Sequence, residues 1–396
     1  MMPQRRNAIG AVILLAFTCT CGPAERVMLV FPDSGRAARD VYDIAMTRRI
    51  TVSDNMVLHP DEFAGVVVDH RRGLLYVGSR DGTLLAIDDR TGELRWEYAL
   101  GGAASGVPRL SEDGSLLLIG NDNGTLCALD LETHKPRWTH ETQGTIRNIP
   151  VVYEGVVYLV TSRDKIYALE LRTGAWRWQY EREFQTDFTI HGRAGLALQA
   201  RAGQGEDAEV IVYTGFDDGK VVAISSGEAL WLSNLAPQQG GTFVDADGTP
   251  LIDEDAGEII ATSQASGVHG LSLADGAARW QHPMRAAGDI ARAPGGLFVV
   301  TSSLDGIVAL ERGGVRRWRQ QLDPGVISSP LVIDDLLFVT HSEIGLLTYD
   351  SRTGELIARL DTGSGMSSIP IYDDLSRRFY ATSNRGVLFA FQLTSS

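Results

Sequence analysis

The chain has 396 residues, a formal net charge of −14 and a 44% hydrophobic content. That is enough apolar material for a packed core, and the acidic balance excludes the basic, phosphate-binding surface that nucleic-acid partners require. Its 43 glycines are spread along the chain, which points to many tight turns and not to a low-complexity tail.

Arg5 and Arg6 precede a short apolar run, IGAVILLAF (9–17), and the small, cysteine-bearing TCTCG follows it. A charged start, a short apolar core and a small-residue exit read as an export signal over residues 1–21. The run is shorter than the ~20 residues that a spanning helix needs. Cys21, or else Cys19, sits where a lipoprotein carries its lipid; ordinary cleavage near Ala24 would discard both. Beyond the leader only Cys127 remains, in the apolar stretch TLCALD, where it reads as a small buried hydrophobe. One cysteine supports neither a disulfide framework nor a Cys/His metal site. Residues 22–47 are expected to be a tether, with a short helix over RAARDVYDIAM (36–46).

From there the chain repeats itself. AIDDRTGELRW (86–96) returns as ALDLETHKPRW (128–138), ALELRTGAWRW (168–178) and TYDSRTGELIA (348–358). Large aromatics recur at Trp96, Trp138, Trp178, Trp231, Trp280 and Trp318, with Ala358 in the same slot of a seventh unit. Spacings of about 40–50 residues in strand-rich sequence are those of a propeller with one four-stranded sheet per unit. Eight two-residue turns mark the frame, among them Asp81-Gly82, Asn123-Gly124, Asp164-Lys165 and Asp305-Gly306; they are expected to be type I′ hairpins. The eighth unit ends without an outer strand, and the β-branched TRRITVSDNMVL (47–58) is available to complete it near Asp54. The expectation is an all-β, eight-bladed β-propeller over 48–396, its ring closed by an N-terminal strand. The repeated Ala is expected to be small where neighbouring blades converge, and the Trp to bury its area between blades.

Two intervals are longer, through LALQARAGQGEDAEV (196–210) and LSNLAPQQGGTFVDADG (232–248). Both flank the fourth blade and read as long loops, which makes that rim the expected working surface.

The phrase A-x-D-x-x-T-G-x-x-x-W resembles the PQQ-type propeller repeat, which two large groups share. One is the quinoprotein dehydrogenases, whose adjacent cysteines and bound calcium this chain cannot supply: it keeps one cysteine and has no D-x-[DN]-x-[DN]-G loop. No cofactor, no metal and no enzymatic activity are therefore expected. The other is the outer-membrane assembly lipoprotein family BamB. That resemblance implies a periplasmic scaffold, lipid-anchored to the outer membrane of a Gram-negative bacterium, that docks the POTRA region of the barrel-inserting subunit BamA and meets nascent barrel proteins. The family's apolar-x-apolar-Arg segment aligns with Phe188, Ile190 and His191 in DFTIHGR (187–193), and its Asp-x-Asp turn with Asp245 and Asp247 in VDADGTP (244–250). His191 stands where the family has Arg, and Arg193 is the cation close by. Two apolar residues at i and i+2 share one side of an extended segment, and two carboxylates offer acceptors to a partner's Arg or Lys. The alternatives are a solvated turn at Asp245/Asp247 with blade core at Phe188/Ile190, an acid–base pair without a nucleophile motif beside it, or docking to a different cell-envelope complex.

Overall fold

The computed structural model describes residues 41–51, 63–182, 194–201, 209–236 and 244–394, and the backbone of two strands at Val12–Ala16 and Arg26–Val30. No helix occurs among the described residues. The chain forms eight antiparallel blades; seven contain a meander of four consecutive strands, and the eighth joins the last three strands of the ring to an N-terminal one. Blade one, for example, runs Val66–Asp69, Leu74–Gly78, Thr83–Asp88 and Leu94–Ala99. Apolar clusters fill every junction between neighbours, and one joins blade eight to blade one through Leu388, Ala390, Tyr380, Val66, Leu75 and Ile87. That last cluster makes the array a closed ring.

Closure is by an N-terminal strand, as expected, but an earlier one. Tyr42–Arg49 pairs antiparallel with Val387–Leu393, with Met46 opposite Ala390. Met46 fills the slot that Trp holds in other blades, and its flexible thioether packs into the junction with blade one. The helix expected over 36–46 is thus strand from Tyr42 onward, and the propeller begins at about residue 41, not 48. An open blade edge offers a full row of backbone partners, and this outweighs the local helical bias of Ala and Met. The expected closing point at Asp54 lies outside the described residues.

The repeated phrase is explained by pairs within a blade. Ala86 faces Trp96, Ala128 faces Trp138, Ala168 faces Trp178, Ala223 faces Trp231 and Ala309 faces Trp318 directly across the strands. The Ala is small because an indole of its own blade lies over it, in the apolar junction where neighbouring blades meet. In blade five the same position is Gly270, where a Cβ would strike the Trp280 ring. Three of the Trp side chains bond to the following blade: the Nε1–H of Trp138 donates to Leu171 O at 2.9 Å, that of Trp231 to Leu273 O at 3.2 Å and that of Trp318 to Ser351 O at 3.1 Å. The glycine of the following Thr-Gly turn sits against the same ring, Gly174 on Trp138 and Gly354 on Trp318. The Asp of A-x-D organises that turn. Asp88 Oδ1 accepts from Thr91 N–H at 2.8 Å and Thr91 Oγ1 at 3.0 Å, and Asp130 and Asp350 repeat the pattern.

The expected type I′ turns are different in kind. In Asp81-Gly82 only the glycine has positive φ, and Gly82 N–H donates to Ser79 O while Ser79 N–H donates to Thr83 O. This is a type I turn closed by a left-handed residue, the three-residue hairpin. Both ends of the insertion at 196–210 are sheet: Ala197–Arg201 and Glu209–Gly215 are the first two strands of blade four, and 202–208 lie outside the described residues. Around the channel, links between blades continue as Gly195 N–H to Thr249 Oγ1 at 3.2 Å and Thr249 N–H to Asp289 Oδ1 at 3.0 Å, with Ser329 Oγ–H donating to Asp289 Oδ2.

Candidate functional site

The turns between the second and third strands of each blade, and the crossings from one blade to the next, share one rim of the ring. Asp245 and Asp247 lie there, on the crossing from blade four to blade five. Phe188, Ile190, His191 and Arg193 lie outside the described residues, as do Cys19 and Cys21; Arg182 and Ala194 are the described residues on either side of the 183–193 crossing.

The acidic crossing is held by backbone. Ala246 N–H donates to Phe216 O at 3.0 Å, and Gln264 N–H donates to Asp245 O at 2.8 Å. Gln264 Nε2–H also donates to Asp247 Oδ2. Gly248 follows where the strand passes blade six so closely that a Cβ would strike Thr262 Oγ1 and the Gly288 carbonyl. These contacts place both carboxylates on a fixed frame. The Asp245 side chain is only 4% exposed, and its Oδ2 has no hydrogen-bond partner. Desolvation raises its pKa to about 6, and the charge of Asp247 adds to the rise.

A third carboxylate joins them that the sequence did not single out as a site. Asp164 is on blade three, buried, with Oδ2 accepting from Asp217 N–H at 3.2 Å. Desolvation pushes its pKa up to about 7; the Asp217 N–H and the charge of Arg182 oppose that, while Asp218 and Asp247 add to it. The available signal was the turn itself. SRDK (162–165) looks like SRDG (79–82), yet the hydrogen bonds are shifted by one residue. Asp164 N–H donates to Thr161 O, which puts Asp164 in the glycine position at φ 55°. A carboxylate occupies a left-handed slot that glycine fills in blades one, two and four, where Gly82, Gly124 and Gly219 stand.

The cations nearby are engaged elsewhere. Arg182 pairs with Asp218 at 2.9 Å and lies over the Phe216 ring at 4.4 Å. Lys220 also pairs with Asp218, at 2.7 Å, and buried Lys165 pairs with Glu181 at 2.7 Å. His269 of blade five is buried with its pKa lowered to about 4, so it is neutral at physiological pH. Among the described residues, no Arg or Lys forms an ion pair with Asp164 or Asp245. Such a site suits a cationic side chain arriving from outside. Among the described residues no group of three or more His, Cys, Asp or Glu is placed to hold a metal ion.

Comparison with known proteins agrees with this architecture. The family described as outer membrane protein assembly factor BamB matches residues 41–115, 109–268 and 264–395. The chain is 31% identical to the outer membrane protein assembly factor BamB of Vibrio cholerae over 78% of this chain and 80% of that protein. It is 26% identical to the protein of the same name from Shewanella oneidensis, over 76% of this chain and 65% of that one. The crystal structure of BamB from Moraxella catarrhalis superposes with a TM-score of 0.73 at 21% identity, covering 89% of this chain and 100% of that chain. With its repeat matched from the closing strand to the last blade, the chain belongs to the family of the outer membrane protein assembly factor BamB.

Proposed function

We propose that this protein is a non-enzymatic scaffold of the outer-membrane β-barrel assembly machinery, held by lipid at the periplasmic face. Its partner is the POTRA region of a BamA-like barrel-inserting subunit. The docking surface is the rim of blades three to five, with Phe188, Ile190, His191 and Arg193 on one crossing and Asp245 and Asp247 on the next. Asp164 is the third carboxylate of that surface.

The observation that carries this reading is the uncompensated charge. Asp69, Asp253 and Asp305 are also buried, and each has an arginine of this chain on its carboxylate. Among the described residues Asp164 and Asp245 have none, so a partner's Arg or Lys gains a charge-assisted bond without displacing a described internal one. The relatives' names support an assembly role, although the alignment spans only 65% of the Shewanella protein.

The test is a pulldown from solubilised envelopes with wild type and a Phe188→Ala/Asp245→Ala/Asp247→Ala variant. Recovery of a BamA-like barrel protein with wild type, and its loss from a still-folded variant, is the expected result. Absence of that protein from both would leave the fold and transfer the function to another envelope complex. Equal recovery with both would move the docking site elsewhere on the ring.

A further inference from the structure

Blade seven differs from the other blades at its outer edge. Its fourth strand, Leu356–Asp361, carries Ala358 opposite Thr348 where blades one to six carry Trp. Among the described outer strands it alone has no exposed residue. Elsewhere the edge is guarded by charge, as in Arg316–Gln320 with three arginines, or by proline, as at Pro136. Blade seven carries only Arg359 and Asp361, 3.5 Å apart from each other.

The sheet of blade seven does not stop at four strands. Arg26–Val30 pairs antiparallel with its edge, Met28 opposite Asp361, Leu29 opposite Leu360 and Val30 opposite Arg359. Val12–Ala16 continues the same sheet beyond it, so blade seven has six strands where every other blade has four.

We propose that the outer edge of blade seven is the docking site for the chain's own segment Arg26–Val30, which adds a fifth strand and fixes where the N-terminal tether leaves the ring. Strand addition needs an unguarded edge and an extended segment of apolar, β-branched character, and RVMLV supplies the second. The expected leader ends before this segment, so cleavage removes the sixth strand and leaves the fifth. Blade seven lies four blades from blade three, on the opposite side of the channel. The tether therefore holds the ring by a blade outside the carboxylate rim, two blades from blade five, and leaves that rim uncovered. The docking is independent of the lipid; only this orientation at the membrane rests on the proposed anchor.

The experiment is oxidative cross-linking of the full-length protein in envelopes, comparing Val30→Cys/Arg359→Cys with Val30→Cys/Arg317→Cys on the edge of blade six. The blade-seven pair is expected to form a disulfide at least tenfold faster. Equal rates, or no bond in either, overturn the proposal. Amide exchange gives the second readout: deletion of residues 24–32 is expected to speed exchange in 357–361 at least tenfold while blade six is unchanged. Protection that survives the deletion overturns it, because another occupant or the blade itself is then responsible. A cross-link that forms in protein lacking lipid leaves the docking intact and removes only the orientation.

Discussion

Two sets of buried carboxylates in this ring are treated in opposite ways. On blade five Asp253 is 1% exposed and receives Arg312 Nε–H and Nη2–H at 2.8 Å each, with Arg292 at 3.4 Å. The arginines outweigh desolvation and hold its pKa below the ordinary value. Across blades three to five, Asp164 and Asp245 are buried to a similar degree with no arginine bonded to them, and their pKa values rise to about 7 and about 6. Burial alone does not distinguish them. What differs is whether an arginine among the described residues is bonded to the carboxylate. A structural carboxylate is finished within its own chain, whereas one kept for a partner costs stability until the partner arrives.

The same substitution should then have opposite signs at the two sites. Asp253→Asn loses two charge-assisted bonds and is expected to cost roughly 2 kcal/mol in urea unfolding at neutral pH. Its cost fades as pH falls through the carboxylate range, because Asp253 contributes stability above its unfolded pKa and loses it on protonation. Asp164→Asn is expected to stabilise by about 1–2 kcal/mol at pH 8. The amide still accepts from Asp217 N–H, Asn suits φ 55°, and the desolvated charge is gone. A loss of stability in that variant would mean that the turn needs the charge, and the contrast would fail.

Asp245→Asn is expected to stabilise by roughly 1 kcal/mol while weakening recovery of the partner, a trade between stability and function at one atom. The same contrast has a slope with pH. A raised carboxyl pKa adds stability that is complete below the unfolded pKa and is lost as pH rises through the folded one. Wild type should therefore lose stability from about pH 4 to pH 7 relative to Asp164→Asn/Asp245→Asn. Parallel curves for the two proteins would remove the electrostatic argument for this rim.

Much of this was legible before any coordinates. The eight recurring turns gave the blade count, and the Trp marked the outer strand in six blades because its burial against the next blade is imposed there. The Asp245/Asp247 turn was legible because the two acids lie together in the sequence. The closing strand was misplaced because Met46 does not look like Trp, although it does the same packing against blade one. Asp164 was missed for a related reason: matching letters in SRDK and SRDG hid a one-residue shift in hydrogen bonding. Both failures come from reading identity where the fold reads position.

The pairing of Ile44 with Phe391 has a consequence for how the molecule is made. The first propeller strand to leave the ribosome has the last one as its partner. Until Val387–Leu393 emerges, the growing protein is an open arc, with blade one bare on one side and the newest blade bare on the other. A polypeptide terminated early is therefore not a smaller version of the same object but an arc with two apolar ends, which proteases and chaperones can recognise. The ring closes only after its last strand has emerged.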